Sequence, residues 1–199
     1  MEQEKVLSSQ ESLELITKMI NKAKRDYLDT GLSALLWGSV IMICSVATYI
    51  NYSNNRKWPG LDYIWFLTIV AVIPQVVIAI REGKQRKHKS YDGELIGGIW
   101  IAFGITMFVL GYVFFRFRTE AETAIYLAVY GIPTFAIGFA RRFRAMIFGS
   151  IGCWIFAILS LYANFPNSML CLAAGSLLAW FIPGLILRIR YLKAKQQHV

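Results

Sequence analysis

The fold is decided by the stretch GLSALLWGSVIMICSVATYI, residues 31–50, which contains no charged residue. An α-helix rises 1.5 Å per residue, so about 20 apolar residues cross a hydrocarbon core of roughly 30 Å. A strand of a membrane β-barrel needs only about ten residues of alternating apolar and polar character. This stretch is longer and apolar on every face, so it predicts a transmembrane helix.

Five further runs of similar length follow the first one, at residues 63–80, 95–115, 121–140, 145–163 and 168–187. The chain is 56% hydrophobic and only 17% charged, and its charges cluster between the runs. In lipid every backbone polar group needs a partner within the protein, which favours helices. The sequence therefore predicts an all-α polytopic membrane protein. Residues 31–187 form its six-helix transmembrane domain, between an N-terminal segment, 1–30, and a basic tail, 188–199.

The basic residues predict the orientation of these helices. Seventeen of the 21 Lys and Arg residues lie in the N-terminal segment, the second loop, the fourth loop and the tail. Basic loops are retained on the cytoplasmic side during insertion, so both termini are predicted to be cytoplasmic. This explains the net charge of +9 without a nucleic-acid partner. The second loop is predicted to contact anionic lipid headgroups. Its basic residues are Arg81, Lys84, Arg86, Lys87 and Lys89.

The N-terminal segment has the pattern of an amphipathic helix. Ser8 and Glu11 have the spacing of a capping box. Leu13, Ile16 and Ile20 then recur at helical spacing opposite charged residues. The pattern predicts a helix over about residues 9–28 that lies along the inner membrane interface. Docking against a protein partner is the alternative interpretation.

The six runs also show an internal repeat. Each odd run carries a Trp beside small residues, and each even run carries an Ile-Pro pair. The tryptophans are Trp37, Trp100 and Trp154, and the prolines are Pro74, Pro133 and Pro183. We therefore predict three parallel two-helix hairpins around an axis along the membrane normal. Each proline is predicted to kink its helix, although prolines are also generally commoner in membrane helices than in soluble ones.

Small residues recur at fixed spacing in two runs. Gly97, Gly104 and Gly111 repeat every seven residues in the third run, and Gly149 and Cys153 belong to a repeat of four in the fifth. Small residues let helix backbones approach closely. Both faces are therefore predicted to be helix contacts.

Catalytic and metal-binding patterns are missing from the sequence. The apolar runs contain no His, and acidic residues occur only in loops or at run edges. We therefore predict a protein that is not an enzyme and that has no cofactor or metal. Three polar residues within the runs, Gln75, Tyr130 and Thr134, are the candidates for lining a cavity. Gln75 stands out because the adjacent proline frees a backbone carbonyl. Bonds between helices are the alternative role for all three.

Several short motifs resemble those of an uncharacterised family of small six-span bacterial membrane proteins. They are Leu35-Leu36-Trp37-Gly38, Tyr130-Gly131-Ile132-Pro133-Thr134-Phe135, Cys153-Trp154 and Trp180-Phe181-Ile182-Pro183-Gly184. The resemblance covers nearly the whole chain. It implies a bacterial inner-membrane location and no activity or functional residue.

Two functions fit this sequence. The first is a small binding or transport bundle for a neutral solute or a lipid, with a cavity open to the cytoplasm. The second is an interaction or regulatory protein that docks a partner through its N-terminal helix and basic loops. Membrane lipids are the predicted partners, together with a protein partner or a second copy of the chain. A continuous central cavity that reaches Gln75, Tyr130 and Thr134 would favour the first function, and a solid core with an exposed apolar groove would favour the second.

Overall fold

The structure is a computed structural model that describes residues 30–85, 91–117 and 119–196, with the single positions Gln10 and Leu13. Apart from Gln10 and Leu13, the predicted amphipathic helix lies outside these described residues, and so do the predicted lipid contacts Arg86, Lys87 and Lys89.

The described chain is helical and forms six spans, which confirms the predicted all-α membrane fold. Six of its helical segments are long and apolar enough to cross a bilayer. The helices are α1 (Leu32–Ser53), α2 (Phe66–Val70), α3 (Val72–Gln85), α4 (Tyr91–Arg116), α5 (Glu122–Ala140), α6 (Arg144–Leu161), α7 (Phe165–Ser176) and α8 (Ile182–Gln196). The 3₁₀ helix Pro59–Tyr63 precedes α2. The second span consists of α2 and α3, and the sixth consists of α7, a π-helical segment Leu177–Phe181 and α8.

Four spans form the compact part of the molecule: α1, α5, α6 and the sixth span. Glycines allow these helices to meet backbone to backbone. A Cβ atom added at Gly149 would lie 2.3 Å from the carbonyl oxygen of Leu178, and one at Gly38 would lie 2.7 Å from the amide nitrogen of Phe181. Neither contact leaves room for a side chain. The predicted close-approach face of α6 is therefore confirmed.

The other two spans lie at the edge of the compact part. α3 packs against α1, and α4 packs against α5, whereas α3 and α4 do not pack closely on each other. Only 6% of the apolar window of each of these two spans is buried, compared with 50% for α5. The spans thus follow one another around the molecule in chain order, and the ring is open between the second and third. This order agrees with three successive hairpins, whose equivalence stays a prediction.

The glycines of α4 behave differently from those of α6. Cβ atoms added at Gly97, Gly104 and Gly111 would meet nothing within 4 Å outside their own helix. Within the described part of the chain, the prediction that this face is a helix contact is therefore wrong. The physical reason is that no neighbouring helix lies against this face of α4.

Two of the three prolines in the even spans lie beside an interruption of their helix. Pro74 follows the break between α2 and α3 at Ala71, and Pro183 follows the π-helical segment. Both positions suit a residue that cannot donate a backbone hydrogen bond. Pro133 lies inside the continuous helix α5. The kinks at the three prolines remain predictions. The structure shows helix interruptions near Pro74 in the second span and near Pro183 in the sixth.

Candidate functional site

A cavity of about 1930 Å³ lies between the compact part and the two peripheral helices α3 and α4. We call it the cleft. It extends from Glu82 and Arg141 at one end of the bundle to Asp62 and Glu120 at the other. Ligand pockets for drug-sized molecules usually measure about 300–1,000 Å³. The cleft is therefore large enough for a longer occupant, such as a lipid.

Aromatic rings cover the middle of the cleft. The ring centroids of Tyr130 and Trp180 are 4.6 Å apart, and Phe103 of α4 lies 5.9 Å from each of them. Trp100, Phe114 and Tyr126 continue this group along the cleft. Aromatic side chains provide large apolar contact areas with little conformational freedom to lose. We call these six residues the aromatic wall, and through it α4 contacts the compact part.

Thr134 holds part of this wall in place from behind. The indole N–H of Trp180 donates to Thr134 Oγ1 at 3.0 Å, and that hydroxyl donates to the carbonyl oxygen of Tyr130 at 2.8 Å. Thr134 is completely buried and does not line the cleft. Of the three residues predicted to line a cavity, the structure brings Gln75 and Tyr130 to the cleft. It gives Thr134 a hydrogen-bonding position behind the rings.

Gln75 forms a polar position on the α3 side of the cleft. Its Nε2 atom donates to Ser33 Oγ on α1 at 3.1 Å. Its Oε1 atom is buried and has no hydrogen-bond partner in the described part of the chain. An unsatisfied buried acceptor costs about 1–3 kcal/mol. Both Gln75 and Ser33 line the cleft, so this polar pair borders the space that a bound molecule would occupy.

A second polar contact joins the same two helices nearer their ends. The hydroxyl of Thr30, just before α1, donates to the carboxylate of Glu82 on α3. Together with the Gln75–Ser33 bond, it fixes α3 against α1. The sequence analysis missed Ser33, Thr30 and Glu82. Their pairing depends on which helix lies beside α1, and the residue types do not reveal that.

The opposite end of the cleft is closed by a folded loop. Asn51, which is only 1% exposed, donates from Nδ2 to Asp62 Oδ1 at 3.0 Å and accepts from the backbone N–H of Trp58 at 3.1 Å. Arg56 binds the other oxygen of Asp62, and this hydrogen bond raises the pKa of the Arg56 guanidinium. These bonds hold residues 54–62 over the end of α1. Asn51 is thus a structural residue that the sequence analysis did not single out.

The remaining predicted site residues are the basic ones. Arg81 and Lys84 are exposed near the end of α3, where lipid headgroups could reach them. Their role as lipid contacts stays a prediction. Within residues 30–85, 91–117 and 119–196, the structure contains no group of three or more His, Cys, Asp or Glu side chains that could hold a metal.

Six apolar spans around a cleft define a multi-pass α-helical membrane protein. Over 104 residues, the chain is 31% identical to NAD(P)H-quinone oxidoreductase subunit 3 of Synechococcus sp. (strain WH7803). The alignment covers 47% of this chain and 82% of that subunit. The aligned part of the chain is therefore a distant homologue of the subunit. No family model matches the chain. No solved structure matches it either.

Proposed function

We propose that this protein is a non-enzymatic binding bundle that takes an uncharged, lipid-like molecule into the cleft. The cleft itself carries the proposal, because it combines a volume of about 1930 Å³ with an aromatic wall and an unsatisfied polar group. We place the protein in a bacterial inner membrane with both termini in the cytoplasm. The Glu82 end of the cleft then faces the cytoplasm.

The distribution of charge supports an uncharged occupant. The charged residues that line the cleft lie toward its ends, at Asp62, Glu82, Glu120, Glu122 and Arg141, and the middle is aromatic and aliphatic. Moving an unpaired charge into such an apolar environment is costly. The gap between α3 and α4 supplies a route from the bilayer, so a lipid-like molecule can enter sideways without crossing water.

The experiment compares two tryptophan substitutions on the same helix. Gly104→Trp fills the cleft, because Gly104 lines it and has open space around its Cβ position. Ile101→Trp is the control, since Ile101 is 67% exposed and lies outside the cleft. We expect native mass spectrometry to show bound lipid on the wild type and on Ile101→Trp, and little on Gly104→Trp. Equal lipid content in all three proteins would contradict the proposal.

A second candidate function is that of a membrane subunit whose cleft receives one transmembrane helix of another subunit. The specific observation is the contrast among glycines: those of the compact part touch a neighbouring helix, whereas Gly97, Gly104 and Gly111 touch none. The distant homologue is named as a subunit, which supports this candidate. In that case the assembly isolated from its native membrane would contain a second protein of one defined mass. Gly104→Trp would abolish the binding of that protein and leave the lipid content unchanged.

A further inference from the structure

We propose that Gln75 and Ser33 form a headgroup site for a neutral lipid that carries a free hydroxyl group. This inference rests on the proposed binding function and names the class of its ligand. It starts from the amide of Gln75, whose Nε2 is bonded to Ser33 and whose Oε1 has no partner among the described residues. A buried acceptor of this kind is stabilised by a molecule that brings an O–H or N–H donor.

The pair of side chains offers both halves of a hydrogen-bonding site. The amide oxygen of Gln75 accepts, and the hydroxyl of Ser33 has a proton to donate besides the bond it accepts. If the amide is turned over, its NH₂ group donates and the Ser33 oxygen accepts. In both orientations the pair presents one donor and one acceptor. A single hydroxyl group has the same two capacities and therefore complements the pair.

Access to the site needs only a small movement. Gln75 borders the cleft, and its Oε1 atom is buried. The terminal torsion of a glutamine side chain is broad and soft. Rotation of the amide toward the cleft would therefore let the Gln75 Oε1 atom, which now has no partner among the described residues, accept a hydrogen bond from the ligand.

The position of the pair also determines how the ligand lies. Ser33 is at the beginning of α1 and Gln75 lies well inside the second span, and the bond between them sets one polar position in the cleft. The aromatic wall, which includes Trp100 and Phe103, lines the same cleft. A hydroxyl bound at Gln75 therefore places its acyl or isoprenoid chains along the wall. The Gln75–Ser33 pair is itself uncharged, so it complements a neutral headgroup.

The test is a competition between two lipids that differ in one atom group. Dioleoylglycerol and its methyl ether, one of them deuterated, are mixed in equal amounts in phosphatidylcholine nanodiscs that contain the full-length protein. The ratio bound is read by mass spectrometry. We expect the wild type to prefer the hydroxyl lipid roughly fivefold, the factor that corresponds to one net hydrogen bond of about 1 kcal/mol.

The matched variants are Gln75→Met and Val77→Met. Gln75→Met removes the amide at nearly constant side-chain volume. Val77→Met is the control, because it introduces methionine on the same helix at a position that is 42% exposed and outside the cleft. The preference should fall to about onefold in Gln75→Met and stay unchanged in Val77→Met. Ser33→Ala replaces Gln75→Met if that variant does not fold, and it should lower the preference in part, because it removes the hydroxyl that donates to the ligand but keeps the Gln75 acceptor.

The outcomes separate this inference from the function on which it rests. If both lipids bind the wild type equally, the hydroxyl site is refuted and the binding function stands. If neither lipid binds, the test is repeated with a reduced quinone and its oxidised form, since a quinol offers the same hydroxyl chemistry. A quinol preference that depends on Gln75 supports the site with that ligand. Binding of none of the four molecules overturns both proposals.

Discussion

Replacing Gly149 by alanine should destabilise the protein strongly, although the change adds only one methyl group. The new Cβ would lie 2.3 Å from the carbonyl oxygen of Leu178 and 2.8 Å from the Cα of Ala179. Both neighbours are main-chain atoms, so no side-chain rotation can relieve the contact. Overpacking of a core typically costs about 1–3 kcal/mol. Because backbone must shift here, we expect a loss of about 3 kcal/mol.

Gly104→Ala provides the matched control, because a Cβ at that position meets nothing within 4 Å. Alanine is also a better helix former than glycine by up to about 1 kcal/mol. The control should therefore be neutral or slightly stabilising, which separates the two variants by about 3–4 kcal/mol. Unfolding of the purified proteins in mixed micelles with increasing denaturing detergent measures this difference. Equal stability of the two variants would refute the helix contact between α6 and the π-helical segment.

Three further predictions concern the polar contacts. Asn51→Ala should cost about 1–3 kcal/mol and make residues 54–62 sensitive to protease, because it removes the bonds to Asp62 and to the backbone of the loop; unchanged cleavage would contradict the role of Asn51. In a double-mutant cycle of Trp180→Phe and Thr134→Val in the same unfolding assay, the coupling energy should be about 1 kcal/mol, the contribution of their hydrogen bond, and a coupling near zero would contradict that bond. Glu82→Leu should increase the distance between spin labels on α3 and α1, because it removes the hydrogen bond from Thr30. An unchanged distance would show that this bond does not fix α3 against α1.

The sequence was sufficient to predict the six helices, because each apolar run is long enough to satisfy its own backbone in lipid. It also predicted the contact face of α6 at Gly149. The same reasoning was wrong for Gly104. A small residue shows that a backbone could approach, but the presence of a neighbour depends on the arrangement of the other helices. The opening between α3 and α4 is a property of the whole bundle, and no local pattern encodes it.

The candidate site was predicted in part for a similar reason. Gln75 stands out in an apolar run, and the structure brings it to the cleft. Its partner Ser33 is an ordinary residue at the start of a helix and gives no signal of its own. Thr134 was chosen by polarity alone, and the structure shows that its hydroxyl is used by Trp180 and by the backbone. Polarity within a span thus identifies candidates, and only packing separates cavity-facing residues from those bonded within the core.

The unequal lengths of the helices relate the cleft to the thickness of the surrounding membrane. α6 has 18 residues and is about 27 Å long, whereas α4 has 26 residues and is about 39 Å long. In a bilayer that fits α6, α4 must tilt to keep its apolar length within the hydrocarbon. In a thicker bilayer α4 can lie closer to the membrane normal. Because α4 forms one side of the cleft, its tilt angle affects the width of the cleft. The width of the opening between α3 and α4 is therefore set partly by the length of the neighbouring lipid chains.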